Sequence, residues 1–103
     1  MPEEPSTLAT LLHRGEFVVT VEIGPPKSAS VESVRKKAKT LVGYCDAANV
    51  TDNQAAIVRL SAWAGSLVLV EEGLEPIMQM TTRDRNIMAI QSDLLGAWAL
   101  GVR

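Results

Sequence analysis

Phe17-Val18-Val19-Thr20-Val21-Glu22-Ile23-Gly24-Pro25-Pro26-Lys27 decides how the rest of the chain is read. Its first seven residues are mostly β-branched or aromatic and alternate as a strand does, and Gly-Pro-Pro then stops them. Phe17, Val19, Val21 and Ile23 share one face, and Val18, Thr20 and Glu22 share the other. An ionisable carboxylate therefore stands at the carboxyl end of an otherwise apolar strand, just before a stiff turn. In parallel α/β sheets, open or closed, ligands bind at that edge.

The same geometry recurs twice downstream. Ser30 is a helix cap for Val31–Val42, where apolar residues at 31, 34, 38, 41 and 42 form one stripe, and Gly43 ends it. Arg35, Lys36, Lys37 and Lys39 read as the wet side of that helix. Ala47–Thr51 is a short strand with Ala48 and Val50 on one face and Ala47, Asn49 and Thr51 on the other. Residues 53–60 read as loop or a first turn. Ser61–Glu72 is a second helix burying Trp63, Ala64, Leu67, Val68 and Val70, with Trp63 as core packing, and Gly73 stops it. Pro76 opens a third strand, Ile77–Thr81, with Met78 and Met80 opposed to Ile77, Gln79 and Thr81. The polar loop Thr82-Arg83-Asp84-Arg85-Asn86 leads to a helix over Ile87–Leu100, capped by Asp84 or Asn86. Ile87, Ile90, Leu94, Ala97 and Trp98 lie on one side of it, and Gly101 ends it. Val102-Arg103 reads as the first step of a fourth strand.

Upstream, residues 1–5 read as loose. Ser6 or Thr7 caps a short helix through Leu8, Leu11 and Leu12, ended by Gly15, and His13 reads as a surface or capping residue. The expected division is a lead-in over 1–16 and a partial barrel domain over 17–103.

The chain has 103 residues, 47% hydrophobic and 21% charged, so it is globular rather than disordered. A net charge of −2 with no large block of one sign argues against non-specific nucleic-acid binding. Cys45 is the sole cysteine and can build neither an internal disulfide nor a cysteine metal cluster, so no metal site is expected. No apolar run approaches the ~18–20 residues of a membrane span. The N-terminus is acidic where a signal peptide would be basic. The expectation is a soluble cytoplasmic protein with neither membrane nor nucleic acid as partner.

Strand–helix alternation repeated three times predicts parallel strands with right-handed crossovers. Strands buried on both faces of an open sheet usually read as unbroken apolar runs. Here one face is apolar (Val19, Val21, Ala48, Val50, Met78, Met80) and the other carries Thr20, Glu22, Asn49, Thr51, Gln79 and Thr81. That favours a closed barrel with a polar mouth. A closed barrel takes about 250 residues and eight strands. The expected fold is therefore α/β: parallel (β/α) units forming the first part of a (β/α)8 TIM barrel, truncated after the third unit. No Gly-x-Gly-x-x-Gly follows the first strand, and no Walker A sequence or nucleophile elbow is present. The residues themselves give a pocket with one acid/base candidate, Glu22, and no named reaction.

Three segments carry a resemblance: Val21–Lys27, Asn49-Val50-Thr51-Asp52-Asn53, and Pro76–Arg103, the last with Met80-Thr81-Thr82-Arg83-Asp84-Arg85-Asn86 and Gln91-Ser92-Asp93-Leu94-Leu95-Gly96-Ala97. In them the chain resembles the N-terminal part of the methylenetetrahydrofolate reductase family. The resemblance implies a (β/α)8 barrel with FAD at the carboxyl ends of the strands and a place in one-carbon metabolism and methionine biosynthesis. It implies Glu22 as the general acid that helps protonate a folate nitrogen and open the five-membered ring to an iminium. Hydride then reaches that carbon from the reduced flavin, which NAD(P)H re-reduces. The role asks for a raised carboxyl pKa, which burial with few charged neighbours would give. The resemblance also implies flavin contacts from Thr51, Gln79 and Thr81. Gln79 stands where the family often has histidine: it can donate and accept a hydrogen bond but cannot titrate. A homo-oligomer is implied for the full-length protein, and an inactive piece for these 103 residues alone. Two alternatives stand beside this: another flavin or folate barrel enzyme using the same carboxylate, and a small non-enzymatic α/β binding module.

Overall fold

Three short parallel strands, β1 (Thr20–Ile23), β2 (Ala47–Val50) and β3 (Pro76–Met78), form one sheet in the order β1-β2-β3. They alternate with four helices, α1 (Thr7–His13), α2 (Val31–Leu41), α3 (Ala62–Glu71) and α4 (Ile87–Ala99), in a computed structural model that describes residues 6–103. Residues 1–5, expected to be loose, fall outside the described residues. The register sets Val21 against Ala48 and Pro76, and Ile23 against Val50 and Met78. In a parallel sheet those rows face one way, and they face the helices. Ile23, Ala48 and Val50 are buried with Val34 and Ala38 of α2 and Ala62, Val68 and Leu69 of α3, while Val21 and Met78 pack on that cluster. α2 lies against α3, and α3 against α4.

Local chemistry accounts for most element ends. Ser6 accepts from the Ala9 amide at the start of α1, Ser61 from Ala64 at α3, and Asn86 from Ala89 at α4. Ser30 occupies the cap position of α2 but makes no such bond. Glu75, just before β3, accepts from the Thr7 and Leu8 amides and ties α1 to the sheet.

Six expectations are corrected. β1 begins at Thr20, not Phe17: Phe17 is 92% exposed, and Val19 exchanges hydrogen bonds with Asp46, which lies before β2. β3 ends at Met78, so Gln79, Met80 and Thr81 lie beyond the strand. α3 buries Ala62, Gly65, Ser66, Val68 and Leu69, whereas Trp63, Ala64, Leu67 and Val70 are half-buried. In α4 only Ala97 of the expected stripe is buried, and Ile87, Leu94 and Trp98 are exposed. Val102 is buried without being part of a strand. Arg35, read as solvated, instead bridges α2 to Glu71 and Glu72 of α3, at 3.1 and 2.8 Å.

Candidate active site

The face opposite the helices carries the expected polar residues. Glu22 stands in one row with Asn49 and Ile77. The ladder continues past the strand ends: Thr51 N donates to Ile23 O at 3.4 Å, and Gln79 N to Val50 O at 3.1 Å. Alternation therefore puts Thr51 and Gln79 on the side of Glu22, one row nearer the carboxyl edge. Glu22 and Gln79 are exposed, and Asn49 is half-buried with its amide donating to Val21 O. The carboxylate expected to be buried is thus open, because the helices pack on the other face. Thr51 is 4% exposed, and its Oγ1 has no hydrogen-bond partner. Gly24 flanks it: a Cβ there would meet only Thr51 Oγ1, at 3.8 Å. The turn after Gly24 is fixed by Leu60 N donating to Pro26 O at 2.8 Å.

Thr81 is differently engaged. Its amide and its hydroxyl both donate to Asp52 Oδ2, at 2.7 and 3.0 Å. Arg85 closes the group: Nη1 donates to Asp52 Oδ2 and to Thr81 O, and Nη2 to Asp52 Oδ1 at 3.1 Å. Asp52 is 3% exposed. Burial pushes its carboxyl pKa up, but the Arg85 guanidinium and the two Thr81 bonds outweigh burial and hold it below the usual range. The same contact raises Arg85 further. The sequence reading gave Asp52 and Arg85 no role. Their signal was position, since each lies in a polar loop just past a strand's carboxyl end.

Beside Gln79 a cleft of about 360 Å³ opens between α3 and α4, lined by Ser61, Trp63, Met78, Gln79, Arg85 and Asp93. The Trp63 indole lies against Gly96 of α4, where a Cβ would come within 3.7 Å of Nε1. Among the described residues no helix is long and apolar enough to cross a membrane.

Fold and rim together define an α/β protein of parallel βα units that gathers a carboxylate, a hydroxyl and an amide at the ligand-binding edge of its sheet. The chain belongs to the methylenetetrahydrofolate reductase family, whose model matches residues 7–103. Membership points to an oxidoreductase of that type, with a folate as its substrate class. No curated protein and no solved structure matches the chain.

Proposed function

We propose that the chain carries the acid-bearing part of a flavin-dependent methylenetetrahydrofolate reductase, which reduces 5,10-methylenetetrahydrofolate to 5-methyltetrahydrofolate with NAD(P)H. The observation that carries this is the placement of Glu22, exposed on the face and edge that hold the Thr51 hydroxyl and the Gln79 amide. In this reading the three units are an arc of a (β/α)8 barrel and the polar face lines its interior. Sequential strand order and helices packed side by side on one face support that. The cytoplasm and a homo-oligomer belong to the same reading.

The residues present fit a flavin. Thr51 Oγ1 is a buried polar atom lacking a partner, and such atoms cost about 1–3 kcal/mol until they are satisfied. Gly24 leaves space beside it, and Gln79 offers both a donor and an acceptor in the open. FAD would supply hydride relay from the nicotinamide to the folate carbon. Thr51 and Gln79 would hold its polar ring edge. Thr81 has its amide and hydroxyl protons committed to Asp52, and contributes by fixing the segment beside Gln79. Glu22 would bind the folate with its carboxyl proton aimed at the ring nitrogen. It gives that proton as the C–N bond breaks, and water returns it in the next cycle.

The test is Glu22→Gln in the natural protein. Folate reduction should fall by about 10²–10⁴-fold, the usual contribution of a general acid, while FAD content and NAD(P)H oxidation by the flavin stay at wild-type levels. An undiminished rate of folate reduction would refute the assignment.

A further inference from the structure

The β2–β3 ladder breaks in a particular way. In this register Ala48 N donates to Glu75 O, and Gln79 N donates to Val50 O. A parallel ladder advances two residues at a time, so the next bond donated from the β3 side would run from Thr81 N to the backbone carbonyl of Asp52. Thr81 N is taken instead by the Asp52 side chain, through Oδ2 at 2.7 Å. A carboxylate has been inserted where a peptide carbonyl would sit. The segment after β3 is thus tied to the end of β2 through that side chain rather than through the backbone, just past the ligand edge.

Arg85 makes the wedge rigid. Its guanidinium grips both Asp52 oxygens and reaches Thr81 O at 2.6 Å, so Thr81 is bound through its N–H, its hydroxyl and its carbonyl. Nε lies 3.9 Å from Asp93 Oδ2 and extends the brace to α4. A bidentate pair this buried fixes geometry as well as charge. Gln79, two residues before Thr81, is anchored on its other side by Val50 O.

We infer that Asp52 and Arg85 are positioning residues: the carboxylate wedge sets where Gln79 and Thr81 stand, and so the width of the rim at which a planar, hydrogen-bonding ligand is received. The ligand half of this inference rests on the flavin reading above, whereas the positional half does not.

Two measurements on the same variants test it. Amide exchange is followed by NMR at Gln79, Thr81 and Val50, and FAD affinity by flavin fluorescence in the natural protein. Asp52→Asn weakens the grip, and Asp52→Glu keeps the charge but lengthens the wedge by one methylene. Both should speed exchange at Gln79 and Thr81 about tenfold relative to Val50. Both should weaken FAD binding about 10–100-fold, as a misplaced partner does. If Asp52→Asn unfolds the chain, Arg85→Lys, which leaves the carboxylate but removes the fork, is read the same way. Wild-type FAD affinity in Asp52→Glu would show that charge rather than placement matters and would overturn the inference, as would unchanged exchange at Gln79 in every variant. Should the wild-type protein take up no FAD, the flavin reading falls, and exchange at Gln79 alone decides the positional half.

Discussion

Asp52 is a buried carboxylate whose Oδ2 accepts three hydrogen bonds, from Thr81 N, Thr81 Oγ1 and Arg85 Nη1. Breaking such a pair from one side costs about 3 kcal/mol, toward the low end for buried pairs because Arg85 keeps 19% of its side chain in solvent. Its pKa is lower in the folded chain than in the unfolded one, so the sign of the linkage follows. The stabilisation is fully present above the unfolded carboxyl value of about 3.9, and is lost as pH falls through the lower folded value. Asp52→Asn should therefore be less stable than wild type at pH 7, and the gap should close below about pH 4. Urea midpoints measured from pH 7 to 2 check this. A gap that stays constant over that range would mean that the carboxylate charge contributes nothing.

At the scale of elements, α3 and β2 approach so closely that one residue type decides the packing. A Cβ on Gly65 would stand 3.0 Å from Val50 Cγ1 and 3.7 Å from Pro25 Cγ. Gly→Ala inside a helix gains about 1 kcal/mol from propensity. Overpacking costs about 1–3 kcal/mol, and Val50 and Pro25 are among the most fully buried side chains, with nowhere to move. The steric term wins, and Gly65→Ala should destabilise by about 1 kcal/mol in chemical denaturation. A stabilised variant would show the contact to be loose. The α2–α3 interface has a second tie in Arg35, whose bonds to Glu72 and Glu71 raise its pKa. Arg35→Met should lower the thermal midpoint at low salt and by less in 1 M NaCl, where the Debye length is about 3 Å. An equal loss at both salt levels would assign the effect to packing of the side-chain stem. These two helices also show what the sequence made legible. α2 has a charged face, so its stripe had a phase, and Val34 and Ala38 are buried as read. α3 is apolar nearly all round, so period alone could not say which side faced the sheet, and the reading put Trp63 and Val70 where Gly65 and Leu69 lie. The candidate site divided in the same way. Strand alternation was enough to set Glu22, Thr51 and Gln79 on one face. The Asp52–Arg85 wedge was not legible, because it depends on a side chain replacing a backbone acceptor between segments 33 residues apart.

At the scale of the whole molecule, the sheet runs β1-β2-β3 with the helices packed in sequence on one face, and α4 stands at one end of that row. α4 presents Ile87, Met88, Leu94, Leu95 and Trp98 to solvent, and clustered exposed apolar side chains mark a contact surface more often than single ones do. In a (β/α)8 arrangement each helix is flanked on both sides, so the barrel reading requires a further βα unit against β3 and α4. Trp98 reports on that directly. It is 54% exposed, with the Arg103 guanidinium 4.1 Å from its ring centroid. In a Trp63→Phe background Trp98 is the single emitter. Its emission in the 103-residue chain should lie at the wavelength of a wet indole and be readily quenched by acrylamide. If the coding sequence continues beyond Arg103 with a βα unit, the emission of the chain extended by that unit should move to the blue and the quenching should fall, as the neighbouring helix covers α4. Unchanged emission and quenching in the extended chain would mean that the next segment docks elsewhere. The three units would then belong to an open sheet, in which the polar face around Glu22 is a surface rather than the lining of a barrel.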